Sequence, residues 1–553
     1  MTDTTPNQYL TKDPDWWRGA VIYQIYPRSF QDSNGDGIGD LLGIANRLPY
    51  VASLGVDAVW ISPFFRSPMK DFGYDVSDYC DVDPMFGNLS DFDVLIQSAH
   101  AHGLKVLMDL VISHSSVEHA WFRESRSSRD NPKANWYVWA DAKPDGTPPN
   151  NWLSIFGGSA WQWDPTRCQY YLHNFLAEQG DLNFHEPQVQ DELLNIARFW
   201  LDRGVDGFRL DTVNFYTHDL HLRDNPALPV EERNPITAPA VNPYTWQNHL
   251  YDKTRPENLA FLSRLRSVMN EYHAAAVGEI GEDQRGLEVL GDYTRGDQHL
   301  HMSYAFELLS DHAPTAQYIK TVMDDLETKA PGGWACWAFS NHDVVRHITR
   351  WNIPEHAARM YLTLMMCLRG SACLYQGEEL ALPEAELRFE DLQDPYGKRF
   401  WPAFKGRDGA RTPMVWDPHA HNGGFSTSSH PWLPVSHDHL KLTVAQQEQD
   451  PLAMLHHYRK AISFRHSHEA LRKGEMFDVS CEGTVLKFHR KHGHEEIFCG
   501  FNIGEEPVTV EAPKGRWHQI GAELGSAGPA PDGKLHFGRW QPVLAVAITW
   551  GGG

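Results

Sequence analysis

Three acids in this chain, Asp211, Glu279 and Asp343, each follow a short apolar run, and each match is accompanied by polar company: Arg209 stands two positions before Asp211, His342 directly before Asp343, and His114 closes a further run of the same kind. A lone acid after an apolar run is ordinarily a helix cap or a surface turn. Three acids at equivalent ends of three runs, with an arginine and two histidines beside them, fit one shared pocket in which carboxyl groups give and take protons. The period of two along a strand puts Arg209 on the same face as Asp211, where its charge holds that carboxylate ionised. A carboxyl that must instead stay protonated near neutrality needs burial and nearby negative charge.

Such a pocket requires elements that all end on one face. Eight apolar runs, at 21–30, 56–63, 105–112, 206–211, 275–280, 302–307, 334–340 and 371–377, alternate with helix-length stretches. Continuous apolar runs of this kind argue for parallel strands buried on both sides, and eight of them predict an α/β fold, a (β/α)8 TIM barrel with its chemistry at the C-terminal strand ends. Two connections are too long for simple crossovers. The stretch 115–178, rich in Trp, Asn, Gly and Pro, reads as an inserted subdomain after strand 3, and the Pro-rich stretch 216–258 as a structured loop over the same barrel end. From about residue 474 the pattern turns to short, alternating, β-branched runs, which predict a C-terminal antiparallel β-sandwich. The expected division is therefore a catalytic barrel over 16–114 and 179–473, subdomain B over 115–178, and the sandwich over 474–553.

Composition narrows the function classes. The chain has 553 residues, 41% hydrophobic and 22% charged, with a net charge of −23. That acidic balance repels phosphate backbones, so nucleic-acid binding is not expected. The seven cysteines are odd in number, widely spaced and without a C-x-x-C pair, so they read as reduced thiols. No basic segment followed by an apolar one opens the chain, and no apolar run approaches about 18 residues, which leaves a cytoplasmic protein without a membrane span as the expectation. The ring content, 20 Trp, 20 Tyr, 26 Phe and 30 His, suits stacking on sugar faces as well as it suits large cores.

The segments GFRLDTVN, AVGEIGE, FSNHD and DLVISHSS resemble the four short signature regions of the α-amylase family of glycoside hydrolases (family 13), and GVDAVWISP and QGDLNF are similar to two further signatures. DFGYDVSDY and GRDGARTPM resemble segments of its α-glucosidase and oligo-1,6-glucosidase branch. Two details depart from the family pattern: Ser113 stands where an Asn usually precedes the histidine, and QPDLN reads QGDLN. Neither touches a catalytic acid. The resemblance implies a retaining, exo-acting α-glucosidase that works through a covalent glucosyl-enzyme, with Asp211 as nucleophile, Glu279 as general acid/base and Asp343 as the acid gripping the distorted sugar. It further implies that His114 and His342 donate to sugar hydroxyls, that Tyr74 forms the stacking platform, and that Asp71 closes the pocket behind the terminal glucose together with an arginine, Arg411 in first place and Arg407 as the alternative. Phe156 and Phe208 are expected near the pocket. Thr212, directly after the nucleophile, stands where α-1,6-preferring members usually carry Val, so α-1,4-linked substrates such as maltose are favoured. The expected partners are small α-glucosides and sugar or alcohol acceptors; oligomeric state is not readable.

Asp32-Ser-Asn34-Gly-Asp36-Gly-Ile38-Gly-Asp40 places oxygen ligands at alternate positions with glycines between them, which suits a hard cation. It is not an EF-hand, because position 12 of such a loop is Gly43. A metal-free Asn/Asp/Gly turn is the other reading. The family resemblance implies a structural Ca2+ (or Mg2+) on Asp32, Asn34, Asp36, the Ile38 carbonyl and Asp40, and no organic cofactor. Two competing functions use the same residues or the same fold. Transglucosylases and sucrose isomerases pass the same intermediate to an acceptor, and the motifs do not separate them from hydrolases. The heavy chains of amino-acid transporters keep this barrel without catalysis, but they need a membrane span and commonly lack the acids that this chain retains.

Overall fold

The computed structural model describes residues 13–233, 237–282, 285–304, 306–530 and 532–548. The eight expected runs are the eight strands of a closed parallel barrel: β1 (Val21–Ile25), β2 (Ala58–Ile61), β3 (Lys105–Leu110), β4 (Gly207–Leu210), β5 (Ala275–Glu279), β6 (Met302–Tyr304), β7 (Ala335–Trp337) and β8 (Ser371–Tyr375). Each pairs with the next, and β1 closes on β8 with Val21 opposite Ala372. One long helix follows each strand: α1 (Leu41–Ser53), α2 (Leu89–Ala101), α3 (Pro187–Asp202), α4 (Asn258–Tyr272), α5 (Gly286–Thr294), α6 (Ala316–Lys329), α7 (Glu355–Cys367) and α8 (Met454–His466). Their starts are fixed locally. Asp40 caps α1 through Gly43 N, Asn88 and Asp91 form a capping box on α2, and Thr315 caps α6.

Strand parity decides what faces where. Ile22, Trp60, Leu107, Val277, Met302, Cys336 and Cys373 pack together inside the barrel, whereas Tyr23, Val59, Met108, Phe208, Ala276 and Leu374 pack in the layer between strands and helices. Near the C-terminal ends the inward positions turn polar: Gln24, Asp109, Arg209 and Glu279 are all buried there. A buried polar layer persists only if its members bond to one another, so this layer is rigid and specific in geometry.

Both long connections sit at this end. After β3, His114–Ser116 pairs antiparallel with Gln179–Asp181, and between them Trp139–Ala140, Gln169–Leu172 and Trp161–Asp164 form a small three-stranded sheet. After β4, short 3-10 turns at Val213–Phe215, Val230–Glu232 and Pro243–Trp246 carry the chain to α4. Residues 234–236 of this stretch lie outside the described residues.

The C-terminal unit is a sandwich of a five-stranded and a two-stranded antiparallel sheet. Val485, Phe498 and Val543 of one sheet meet Val510, Leu535 and Phe537 of the other. Two of its strands, Trp517–Ile520 and Lys534–Phe537, are additional to the expected runs: the first has no buried position, and the second alternates exposed and buried over only four residues. Residues 549–553, the end of the span read as sandwich, lie outside the described residues. All seven cysteines are free, and among the described residues no helix is long and apolar enough to cross a membrane.

Candidate active site

One guanidinium organises the pocket floor. Arg209 Nη1 donates to Asp211 Oδ1 at 2.6 Å and to Asp109 Oδ1 at 2.9 Å, while Nη2 meets Glu279 Oε2 at 2.7 Å. Three carboxyls from β3, the end of β4 and β5 thus share one cation that is itself buried. Thr212, in left-handed backbone at φ 39°, turns its amide onto Glu279 Oε2 at 3.1 Å and its hydroxyl towards Asp211 Oδ2 at 3.3 Å. A β-branched residue in that conformation is strained, and strain of this kind persists where surrounding contacts over-determine it.

The opposite wall carries a second charge cluster. Arg407 Nη2 meets both Asp71 Oδ1 and Asp394 Oδ1 at 2.9 Å, and its Nη1 reaches Asp343 Oδ1 at 3.2 Å. Arg411, the first choice from the sequence as partner of Asp71, does not meet it. Arg411 is 1% exposed, sits behind the pocket wall, and donates to Asp343 Oδ1 at 2.8 Å and to the His342 carbonyl at 2.7 Å. The physical reason is the short 3-10 turn Asp408–Arg411, which sends the two arginines to different depths. Asp71 also accepts from Gln179 Nε2 at 3.2 Å, beside His114.

Asp71, Tyr74, His114, Phe156, Asp211, Glu279, Asp343 and Arg407 line one cavity, as the sequence grouped them. Four expected residues do not line it: Arg411 and Arg209 lie behind its wall and beneath its floor, and two more are turned away from it. Phe208 is fully buried among the strand–helix contacts, because the same parity that turns Arg209 and Asp211 inward turns Phe208 outward. His342 is also fully buried; its Nε2 faces the Tyr74 hydroxyl at 2.6 Å and Asp343 Oδ2 at 3.2 Å rather than the cavity. Sequence reading missed the apolar side of the cavity, where Phe175, Phe215, Tyr396, Phe306 and Leu309 stand. These come from four separate connections, three of them short helical turns, and apart from Phe306, which stands near the end of a run read as strand, none carries a local signal. It also missed Asp109 and Asp394 as charge partners; Asp109 had one, its place on the inward face two residues beyond Leu107.

Burial raises Glu279 to about 7, with Arg209 opposing and the charges of Asp211 and Asp343 adding to the rise. Contrary to the expectation that Arg209 holds it ionised, burial lifts Asp211 to about 7, and Asp109 to about 6, against the pull of Arg209. Carboxyls this close that share one arginine hold a common proton near neutrality. Asp343 goes the other way: burial opposes its charge, but the adjoining His342 ring edge and the cations Arg407 and Arg411 outweigh that and hold it well below the usual carboxylate range. Asp394 is held down to about 2 in spite of burial, by Arg407. Burial lowers His114 to about 4 and His342 well below its ordinary value, so both rings are neutral. The site therefore contains an ionised acid, a protonatable acid and a fixed anion around one cavity.

The loop at Asp32–Asp40 has the oxygen-only chemistry a hard cation needs. Its acceptors are turned onto its own chain: Asp32 takes the amides of Asn34, Gly35 and Gly37, Asn34 Oδ1 that of Asp36, Asp36 that of Ile38, and Asp40 those of Ser33 and Gly43. Among the described residues no three His, Cys, Asp or Glu side chains converge as a metal-binding group. The donor set fits a cation in kind; in this arrangement a cation would have to share Asp32 and Asp40 with those amides.

Comparison with known proteins places the chain among sugar enzymes. Residues 24–474 match the model of the α-amylase catalytic domain. The chain is 64% identical over 521 residues to a probable α-glucosidase of Rhizobium meliloti (strain 1021), covering 93% of this chain and 94% of that one. The crystal structure of the α-glucosyl transfer enzyme XgtA superposes with a TM-score of 0.93 at 53% identity, over 96% of this chain and 99% of XgtA. A variant of the trehalulose synthase MutB, from Pseudomonas mesoacidophila MX-45, solved with the substrate sucrose, superposes with a TM-score of 0.84 at 33% identity, over 96% and 99% of the two chains.

Proposed function

This chain belongs to the α-amylase family of glycoside hydrolases, in its α-glucosidase branch, and from that premise we propose that it is a retaining, exo-acting α-glucosidase that also transfers glucosyl groups. The observation that carries the reading is Arg209 holding Asp211 and Glu279 side by side on the floor of one cavity whose far wall is the Asp71–Arg407 pair. Asp211 attacks the anomeric carbon as the bond to the leaving oxygen breaks. Glu279 gives its proton to that oxygen, and a glucosyl ester on Asp211 results. Glu279, now ionised, takes a proton from water or from an acceptor hydroxyl, which attacks the same carbon and returns Asp211 as carboxylate. Two inversions leave the α configuration. Asp343, fixed as an anion, grips hydroxyls of the distorted sugar, and Asp71 with Arg407 holds the terminal glucose from behind, so that cleavage releases single glucose units.

Small α-glucosides, α-1,4-linked ones such as maltose foremost, are the proposed substrates, with sugars or alcohols as acceptors. Sucrose isomerisation and α-1,6 cleavage are alternatives on the same scaffold, and the transfer reading is supported by the relation to XgtA. We place the protein in the cytoplasm. A structural Ca2+ or Mg2+ at Asp32, Asn34, Asp36, Ile38 and Asp40 is proposed on the oxygen-only donor set. The deciding experiment follows product anomers by NMR while Asp211→Asn, Glu279→Gln and the parent enzyme act on maltose and an aryl α-glucoside. Initial α-glucose from the parent and near-complete loss in both variants is expected; initial β-glucose, or near-normal turnover in either variant, refutes it.

A further inference from the structure

Gln24, on the inward face of β1, takes no part in the chemistry above, yet it is fully buried in the polar layer with its Nε2 2.7 Å from His342 Nδ1 and 3.3 Å from Ser62 Oγ. The donors and acceptors around it run in a fixed order. Asp343 is an ionised carboxylate whose Oδ2 lies 3.2 Å from His342 Nε2, and although the two are not aligned as a hydrogen bond, that negative charge favours a proton on Nε2 over a bare lone pair. The ring is neutral, so Nδ1 is bare and must accept, and the group facing it is the Gln24 amide N–H. The Nε2 proton also faces the Tyr74 oxygen at 2.6 Å, which leaves the Tyr74 proton to go to Asp109 Oδ2 at 3.1 Å. Asp109 in turn accepts from Arg209, the residue that holds Asp211 and Glu279.

His342 cannot swing out of this line. Its ring packs against Tyr26 at 23° with centroids 5.7 Å apart and meets Trp60 edge-on at 79° and 6.0 Å, while the Tyr74 hydroxyl holds its edge. A buried histidine held in this way can change its hydrogen bonds only by moving its proton from one nitrogen to the other. That would reverse the Tyr74 hydroxyl and take a donor from Asp109.

We infer that Gln24 is a positioning residue: by donating to His342 Nδ1 it keeps the His342 proton on Nε2, and so fixes the direction of the hydrogen-bond chain from β1 through His342 and Tyr74 to Asp109, the carboxylate to which Arg209 also donates. The kinetic consequence rests on Asp211 and Glu279 being the reacting pair; the tautomer does not.

Gln24→Glu keeps the side-chain shape but presents acceptor oxygens to Nδ1, and Gln24→Met keeps the volume without a donor. The test is a 15N spectrum of histidine-labelled protein, with the His342 signal identified by its loss in His342→Gln. The parent is expected to show the Nε2-protonated ring, and Gln24→Glu a proton on Nδ1. In both Gln24 variants kcat on an aryl α-glucoside is expected to fall about ten- to a hundredfold, the scale of a small misplacement at a reacting centre, with KM changed less. An Nδ1-protonated ring in the parent overturns the inference whatever the variants do, as does an unchanged tautomer and kcat in Gln24→Glu. An Nε2-protonated parent ring in a protein without glucosidase activity upholds the tautomer and refutes the proposed function alone.

Discussion

The guanidinium of Arg407 meets the carboxylate of Asp71 at 2.9 Å across 336 positions of chain. The first residue lies in the long connection after β8 and the second in the connection after β2, so this contact closes the cavity from both sides. Asp71 is raised by burial to about 6 while Arg407 opposes the rise, and Asp394 on the same guanidinium stays ionised. The pair is therefore both a wall and a pair of hydrogen-bonding groups aimed at whatever occupies the end of the cavity.

Arg407→Lys keeps the charge but loses the fork that spans Asp71 and Asp394. KM for maltose is expected to rise about tenfold, equivalent to about 1.4 kcal/mol of binding, with a smaller change in kcat. Arg407→Ala strands buried carboxylates at a cost of about 3 to 5 kcal/mol and should melt markedly lower. Steady-state kinetics and thermal melts check both, and an unchanged KM in the lysine variant removes Arg407 from the binding site.

The pH profile follows from the raised acids. Glu279 is protonated below about 7 and loses its proton as pH rises through that value, which removes the general acid; Asp211 loses its negative charge as pH falls through its own raised value, which removes the nucleophile. Activity should peak near neutrality and fall on both sides, with apparent values that belong to the pair. In Glu279→Gln, formation of the glucosyl ester from a substrate whose leaving group needs no proton should keep the acid-side fall and lose the alkaline one. A retained alkaline fall would assign that limb to another group.

Thr212→Val removes the hydroxyl that stands 3.3 Å from Asp211 Oδ2 and 3.2 Å from Ser113 Oγ, while keeping a β-branched residue at the same strained backbone. The ratio of kcat/KM on maltose to that on isomaltose is expected to fall about tenfold, within the range one side-chain contact confers. Competition between the two disaccharides measures it directly, and a constant ratio takes linkage preference away from this position.

Chelation addresses the loop at Asp32–Asp40. If a cation braces it, EDTA should lower the melting temperature by about 1 °C, roughly 1 kcal/mol for a chain of this length, and Ca2+ should restore it. The product ratio should not change, because none of these residues lines the cavity. A melting curve indifferent to both reagents leaves the metal-free turn, held by its own amides.

How much was legible in the sequence varies with the range of the interaction. The eight strands were, because each is a continuous apolar run whose burial is a local property. The parity of β4 was too, and applied consistently it also excludes Phe208: if Arg209 and Asp211 face inward, their neighbour faces the helices. His342 was expected to reach sugar hydroxyls, but it is fully buried, packed against Tyr26 and held by the Tyr74 hydroxyl, and those residues come from distant segments. Phe175, Phe215 and Tyr396 carried no signal, since a single aromatic in an irregular loop has no period to betray its neighbours.

By itself the sequence determined which residue types are offered to the chemistry and at which strand ends, because alternation and apolar runs act over a few residues and burial enforces them. Only the tertiary structure decided which arginine meets Asp71, which acids share Arg209, and that Gln24 faces His342. Most of those pairings join distant segments, up to 336 positions apart, and their geometry is set when the barrel closes and its long connections fold over one end.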